Sequence, residues 1–439
     1  MAERSLYRRV IQLAIPVVLA NLSVPLLGAV DTAIMGHMDA PYYLAALAIG
    51  SLVFSFMYWG FGFLRMGTTG FAAQALGAKD PEALGNSLMQ AIILSLVIAI
   101  VVVLTQGLIS ALAFSVLAGS AEAMAHAQAY FEIRIWSAPA TLATYAIIGW
   151  FIGIQRTRDT LVVQLVLNGL NAALDYWFVV GLGWGVEGVA LGTVIAEYTA
   201  LVVAVLLVRR RWRANGARTS RGGMLNTGSL VRLVSVNSDI FIRTFCLVTA
   251  FALVTREGGR LGDVWLDANA ILMMFVTFLS YGLDGFAMAA EGLVGSAFGA
   301  RNRQALQAAA RTSTILAVAT AGAYSLIYLA FGPAIIGLLT SLPEVQTIAE
   351  AYLPWVIAIP LLSVWCYQLD GIFIGAQRSR DMRNMMIVSF AVFLLVLYGG
   401  LADKGNHAIW AALVSFFILR GATLLLRYPA LLRAAEKPA

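Results

Sequence analysis

Long apolar segments alternate with short polar segments along the whole chain. Each apolar segment has about 20 residues, which at about 1.5 Å per residue is enough for a helix to cross the hydrocarbon core of a bilayer. Strands of a membrane barrel would instead alternate apolar and polar residues over about ten positions. The pattern therefore predicts an all-α polytopic membrane protein. Twelve spans are expected, at about 9–34, 43–70, 86–108, 126–153, 161–181, 187–208, 231–254, 266–290, 307–330, 350–376, 384–400 and 408–426.

Composition excludes a soluble globular protein, because 60% of the 439 residues are hydrophobic and only 12% are charged. The net charge is +6, and its distribution is more informative than its sum. Most Lys and Arg residues lie in loops on the side of the N-terminus, whereas the opposite loops contain only Arg256, Arg260 and Lys404. By the positive-inside rule, both termini are expected in the cytoplasm. This topology accounts for the basic segment 209–221, so no nucleic-acid partner is expected. Segment 209–229 is predicted to be an exposed linker.

The chain contains an internal repeat. The segment "GFAAQALGAKDPEAL" from Gly70 matches "GLVGSAFGARNRQAL" from Gly292, and "GWFIGIQRTRD" from Gly149 matches "GIFIGAQRSRD" from Gly371, both at an offset of 222 residues. We therefore expect two homologous six-helix lobes, residues 1–215 and 216–439. Six is an even number, so the lobes share one orientation, as in the parallel repeats of secondary transporters with alternating access. Channels and passive scaffolds are the alternatives. No Walker motif supports ATP as the energy source.

The repeated motif G-x-x-x-G-x-Q-R-x-R-D ends a predicted helix in each half. Its glycines permit close helix approach, and its Arg and Asp residues can fix the turn by ion pairing. A structural hinge is favoured over substrate contact.

One carboxylate lies deep in the first span. Asp31 has no local cationic partner, because the nearest arginine of its span, Arg9, is about six turns away. A charged group in hydrocarbon costs several kcal/mol, so such residues are usually functional. In the fifth span, Asn171 and Asp175 are spaced i, i+4 and share a helix face. Thr193 in the sixth span lies at a similar depth.

Two carboxylates in a low-dielectric bundle cannot easily both be ionised. An Asp31 and Asp175 pair could therefore hold a proton in one access state and release it in the other. Alternatively, these carboxylates with the Asn171 and Thr193 oxygens provide hard ligands suited to Na⁺. The coupling ion, H⁺ or Na⁺, is left open.

The second half carries different acids, Asp284, Glu291 and Asp370, whose positions in the first half are not acidic. They could bind a cationic substrate or a second ion, or they could be neutralised by arginines of other spans, namely Arg65, Arg134 and Arg420. Asp239 is expected to pair with Arg243 at i+4 on its own helix.

Two prolines, Pro16 and Pro25, precede Asp31 in the first span. Each removes a backbone hydrogen bond and permits a kink. Bending at either proline could be coupled to protonation of Asp31, or the kink could be static.

Several segments together resemble the DinF branch of the MATE (multidrug and toxic compound extrusion) transporters of the MOP superfamily. The resemblance covers essentially the whole chain and is carried by "VPLLGAVDTAIMGHM", "LRMGTTGFAAQALGA", "NAALDYWFV", "GVALGTVIAEY" and "LDGIFIGAQRSRDMRN". It implies a bacterial inner-membrane antiporter that exports amphipathic, often cationic compounds in exchange for H⁺ or Na⁺. No cofactor is expected besides the coupling ion, and we expect a monomer.

The resemblance also implies roles for particular residues. The family's N-lobe ion site corresponds to Asp31, Asn171, Asp175 and Thr193, which the spacing also groups. Pro16 corresponds to the family's bending proline. Tyr130 corresponds to an aromatic residue near the site.

Two other functions compete with a drug exporter. A lipid-linked oligosaccharide flippase of the same superfamily would bind a pyrophosphate and should line its cavity with arginines, for which the candidates are Arg65, Arg134, Arg243, Arg311 and Arg420. An intramembrane enzyme is disfavoured, because the three histidines form no H-E-x-x-H motif and no nucleophile motif is present. The two cysteines, Cys246 and Cys366, lie in separate spans and define no disulfide or metal site.

Overall fold

A computed structural model describes residues 2–36, 38, 40–399 and 404–436 of the chain. These residues form α-helices joined by short turns and contain no strand. Among them, 12 helical segments are long and apolar enough to cross a membrane. The predicted all-α fold with twelve spans is therefore confirmed.

The helices are numbered in chain order over the described residues. Their bounds are α1 (Ala2–Gly36), α2 (Pro41–Gly60), α3 (Phe63–Gly77), α4 (Pro81–Leu104), α5 (Gln106–Val116), α6 (Ala121–Arg134), α7 (Ala138–Gly153), α8 (Thr157–Tyr176), α9 (Val186–Ala214), α10 (Arg221–Met224), α11 (Thr227–Arg260), α12 (Asp263–Gly299), α13 (Arg303–Leu339), α14 (Pro343–Gly375), α15 (Ser379–Tyr398) and α16 (Asn406–Ala434).

The chain packs as two compact units. The N-terminal unit comprises Leu19–Val234, and the C-terminal unit comprises Met1–Val18 together with Ser235–Ala439. These bounds describe packing, whereas the predicted lobes 1–215 and 216–439 describe a repeat in the sequence. Helix α1 runs without interruption through Pro16 and Pro25, and the division between the units falls within it.

Backbone turns recur at the offset of the sequence repeat. Among the described non-glycine residues, positive φ angles are found at Lys79 (55°) and Arg301 (54°), and at Gln155 (59°) and Gln377 (54°). Each pair is separated by 222 residues. Helices α4 and α13 also begin alike, since the side chains of Asp80 and Asn302 cap them by accepting a backbone N–H. The same turns after corresponding helices are expected if the two halves share one ancestor.

The repeated glycines permit close helix packing, as predicted from their spacing. On α7, a Cβ added at Gly149 would lie 2.3 Å from the backbone oxygen of Arg65 on α3. On α14, a Cβ added at Gly371 would lie 2.3 Å from the backbone oxygen of Ala287 on α12. No side chain fits at either contact, so glycine sets the distance between these helices.

The segment after residue 208 differs from the prediction of an exposed linker. Residues 209–214 continue α9, and Ala217 is buried in the core of the N-terminal unit. The Arg218 N–H donates to the Pro81 carbonyl (2.9 Å), and the Gln90 side chain donates to the Ser229 hydroxyl (2.7 Å). This segment is therefore docked on the start of α4, although many of its side chains remain exposed.

The predicted pairing of Asp239 with Arg243 is wrong. Asp239 accepts hydrogen bonds from Arg383 (2.6 Å) and from the Ser379 hydroxyl (2.8 Å), both on α15. Arg243 bonds instead to Asp370. Both residues therefore take their partners from neighbouring helices rather than from the i+4 position on the same helix.

Candidate functional site

Three residues predicted to act together meet where α8 packs on α9. Asp175 is fully buried, and its Oδ2 accepts a hydrogen bond from the Asn171 amide nitrogen (2.8 Å). The same amide nitrogen lies 3.3 Å from the Thr193 hydroxyl, which itself donates to the Val189 carbonyl (2.9 Å). The i, i+4 spacing on α8 therefore places Asn171 between the acid and the hydroxyl.

Asp31 reaches this site from α1. Its carboxyl group is half-buried and within hydrogen-bonding reach of the Asp175 carboxyl group. The Oδ1 atoms of both acids are buried and accept no hydrogen bond from the residues described. Two ionised carboxylates at this separation would repel each other in a medium with little solvent. The arrangement is thus suited to one shared proton or one bound cation.

Gly192, which the sequence pattern did not single out, provides the space for Asp175. A Cβ added at Gly192 would lie 2.3 Å from Asp175 Oδ1. Any side chain at this position would displace Asp175 Oδ1, the oxygen that accepts no hydrogen bond from the described part of the chain. The only signal in the sequence was a small residue directly before Thr193, which is too common in membrane helices to single out.

The polar face of α8 extends toward α1. Gln164 donates to the Asn168 side-chain oxygen (3.1 Å), and Asn168 donates to the Ser23 hydroxyl (2.6 Å). Ser23 lies between Pro16 and Pro25 in α1, two turns before Asp31. The α1 segment that carries Asp31 is therefore attached to the helix that carries Asp175 by a second polar contact.

Arg134 is a fixed cation beside the acid pair. Its guanidinium group bonds to the Tyr130 hydroxyl and lies 4.7 Å from the centre of the Phe54 ring. Its charge acts on both Asp31 and Asp175. Tyr130 is only 1% exposed, and it adjoins the site through Arg134. The sequence identified Arg134 only as a possible partner for acids of the second half or as an anion ligand.

The acids of the second half are arranged differently. Asp370 Oδ2 accepts hydrogen bonds from Arg243 on α11 and from Arg420 on α16 (2.7 Å for the latter). Both arginines are about as buried as the acid, at 5% and 4% exposure. The alternative that an arginine neutralises Asp370 is therefore observed. Asp284 and Glu291 lie two turns apart on α12, the former half-buried and the latter buried.

The described residues contain no group of three or more His, Cys, Asp or Glu side chains placed to hold a metal ion. Both cysteines are buried and free. The acid pair with its amide and hydroxyl neighbours has the chemistry to hold either a proton or a hard monovalent cation.

Comparison with known proteins gives consistent matches. The family model described as MatE matches residues 16–177 and 240–398. The chain is 44% identical to the DNA damage-inducible protein F of Escherichia coli (strain K12), covering 94% of this chain and 90% of that protein. It is 23% identical to the probable multidrug resistance protein NorM of Acinetobacter baylyi, covering 94% and 93%. A crystal structure of the Vibrio cholerae MATE transporter VcmN is 19% identical, covers 98% of each chain and has the same fold, with a TM-score of 0.88.

Proposed function

Because the chain belongs to the MatE family, and is therefore a multi-pass membrane transporter of drugs or toxic compounds rather than an enzyme, we propose that it works by antiport. Amphipathic, often cationic compounds leave the cell in exchange for H⁺ by alternating access. The observation that carries this proposal is the contact between the Asp31 and Asp175 carboxyl groups, each with a buried oxygen that accepts no hydrogen bond from the residues described. One proton shared between the two acids would satisfy both.

In this mechanism the acid pair changes its charge during the cycle. A proton bound from the outside removes the repulsion between Asp31 and Asp175. Its release to the inside restores that repulsion and moves Asp31 relative to α8. Asp31 lies on α1, so Pro16 and Pro25 are the positions at which α1 could bend in response.

Na⁺ is the second candidate for the coupling ion. Thr193 places a hydroxyl oxygen beside the Asn171 amide, whose nitrogen faces both this hydroxyl and the Asp175 carboxylate. If this amide turned its oxygen toward the site, the two side chains and the two carboxylates would form the all-oxygen ligand set that a hard cation prefers. The residues that bind either ion are the same.

The remaining assignments belong to this proposal. The protein is a monomer in the bacterial inner membrane with both termini in the cytoplasm. Tyr130, Asp284 and Glu291 are candidate contacts for a cationic substrate. A flippase is less well supported, because Arg243 and Arg420 already bond to Asp370 and Arg134 bonds to Tyr130.

The proposal is tested with purified protein in liposomes, using ethidium as the transported cation and imposing a pH gradient or a Na⁺ gradient separately. Ethidium movement driven by the pH gradient alone, and lost in Asp31→Asn, is expected. Asp263→Asn is the matched control, because this acid is exposed in the first turn of α12. Full gradient-driven transport by Asp31→Asn would overturn the assignment of the site, and transport driven only by Na⁺ would replace H⁺ as the coupling ion.

A further inference from the structure

One face of α9 is exposed along most of the helix. Val202, Val205 and Leu206 are 58%, 42% and 57% exposed, and Ile195 and Tyr198 extend the same face toward the start of the helix. The spacing of i, i+3, i+7, i+10 and i+11 places all five side chains on one stripe. In a membrane span, an exposed apolar stripe of this kind contacts acyl chains.

Three arginines continue this stripe beyond the apolar part. Arg209, Arg210 and Arg213 follow Val202 at i+7, i+8 and i+11, so they lie within about 100° of the helix circumference on the same face. All three side chains are exposed. They form no ion pair with any residue in the described part of the chain. We call Val202, Val205, Leu206, Arg209, Arg210 and Arg213 the α9 stripe.

The opposite face of the same helix end is firmly anchored. Arg211 makes two hydrogen bonds to the Asp159 carboxylate on α8, at 2.5 and 2.9 Å. The Trp212 ring lies 6.3 Å from the Trp150 ring of α7. The chain then docks on the start of α4 through Ala217 and Arg218, as described above. The arginines of the α9 stripe are therefore presented on a helix end that is held in place.

The positive-inside rule does not by itself account for this arrangement. Topology depends on the number of basic residues, whether or not they are paired. In the C-terminal unit, four arginines near the helix ends are paired with acids: Arg303 with Glu436 (3.1 Å), Arg378 and Arg427 with Asp381 (2.8 and 2.9 Å), and Arg383 with Asp239 (2.6 Å). The exposed Arg301, Arg380 and Arg433 of the same unit lie far apart along the chain and form no row on one helix face. The α9 stripe instead keeps three exposed charges in line with a lipid-facing surface.

We propose that the α9 stripe binds an anionic phospholipid. The phosphate would accept hydrogen bonds from Arg209, Arg210 and Arg213, because guanidinium groups match the geometry of phosphate oxygens and basic clusters next to a span attract anionic headgroups. The acyl chains would lie along Val202, Val205 and Leu206. This site is independent of the coupling ion and of the acid pair.

The test is a titration of the detergent-purified full-length protein with phosphatidylglycerol, monitored by native mass spectrometry, with phosphatidylcholine as the zwitterionic comparison. The triple variant R209Q/R210Q/R213Q is expected to bind phosphatidylglycerol more weakly by about fivefold per arginine, on the order of 100-fold in total. The matched control R301Q/R380Q/R433Q removes three exposed arginines outside the stripe. It is expected to bind phosphatidylglycerol like the unmodified protein.

A second variant, R209K/R210K/R213K, keeps the charge and the expected topology and should retain most of the affinity. If the Gln triple bound phosphatidylglycerol as well as the unmodified protein, or the Lys triple bound no better than the Gln triple, the proposal would be overturned. Binding of a single-stranded oligonucleotide with the same arginine dependence, without binding of phosphatidylglycerol, would also overturn it. Asp31→Asn should bind the lipid normally, which separates this inference from the proposed transport mechanism.

Discussion

Asp175 is fully buried, yet one of its carboxylate oxygens accepts no hydrogen bond from the residues described. Burying an unpaired charge is unfavourable, so a group in this state is suited to binding an ion that comes and goes. The backbone preserves this state, because Gly192 leaves room for the Oδ1 atom and Asn171 fixes the other oxygen. The position of Asp175 Oδ1 thus depends on Gly192, a residue without a side chain.

Gly192→Ala is expected to impair transport with little effect on folding. The added Cβ would lie 2.3 Å from Asp175 Oδ1 and would force the carboxylate to move. Displacing a group that orients an ion ligand typically lowers ion affinity about 10-fold to 100-fold. The measurement is how gradient-driven ethidium transport depends on pH or on the Na⁺ concentration. Gly169→Ala on α8, where a Cβ meets no atom within 4 Å, should transport normally. Unchanged ion dependence in Gly192→Ala would argue against Asp175 as an ion ligand.

Asp370→Asn is expected to destabilise the protein. The variant would leave Arg243 and Arg420 buried without their counter-charge, and breaking a buried ion pair on one side typically costs about 3–5 kcal/mol. Thermal unfolding in detergent should show a clear fall in the melting temperature, whereas Asp31→Asn should melt near the temperature of the unmodified protein. A stable Asp370→Asn variant with altered ion coupling would instead support a second ion site.

At the scale of helices, glycine contacts set the packing within each unit. A Cβ added at Gly153 of α7 would lie 2.7 Å from both the Ala72 Cβ and the Thr69 carbonyl oxygen of α3. A Cβ added at Gly375 of α14 would lie 2.4 Å from the Glu291 carbonyl oxygen of α12. The same motif therefore supports an equivalent helix pair in each unit. Small residues have this role at helix interfaces in membranes, because lipid gives no hydrophobic reason for helices to associate.

Gly153→Ala and Gly375→Ala are each expected to destabilise the protein by about 1–3 kcal/mol, because an added methyl group overpacks a contact with backbone atoms. Thermal unfolding in detergent measures the effect. Gly322→Ala on α13 is the control, since a Cβ there meets no atom within 4 Å. Melting temperatures of the two variants equal to that of Gly322→Ala would contradict the packing argument.

At the scale of the whole molecule, the predicted topology follows from the distribution of basic residues. Ala118, between α5 and α6, and Thr219, after α9, are both exposed and should lie on opposite sides of the membrane. With Cys246 and Cys366 replaced by Ala, a membrane-impermeant maleimide should label Ala118→Cys in intact cells. It should label Thr219→Cys only after permeabilisation. The reverse pattern would invert the predicted orientation of both termini.

The number of spans, the repeat and the acid in the first span were all predicted from the sequence, and so was the family that the MatE match then confirmed. These features are local. A span requires about 20 apolar residues wherever it lies, and a repeat is preserved at a constant offset. The grouping of Asn171 with Asp175 was also within reach, because i, i+4 neighbours share a helix face.

Helix packing sets which charged groups meet. Asp239 pairs with Arg383 rather than with Arg243, and Arg243 joins Arg420 at Asp370. These partners are separated by more than a hundred residues in two of the three pairs, and helix periodicity cannot rank such distant candidates. The room that Gly192 leaves for Asp175 likewise exists only once α8 packs on α9. Local features of the sequence thus predicted the spans, their repeat and the candidate ion-binding residues, because each depends on neighbours along one segment. The partner of each buried charge and the space beside Asp175 depend on how helices distant in the sequence pack together.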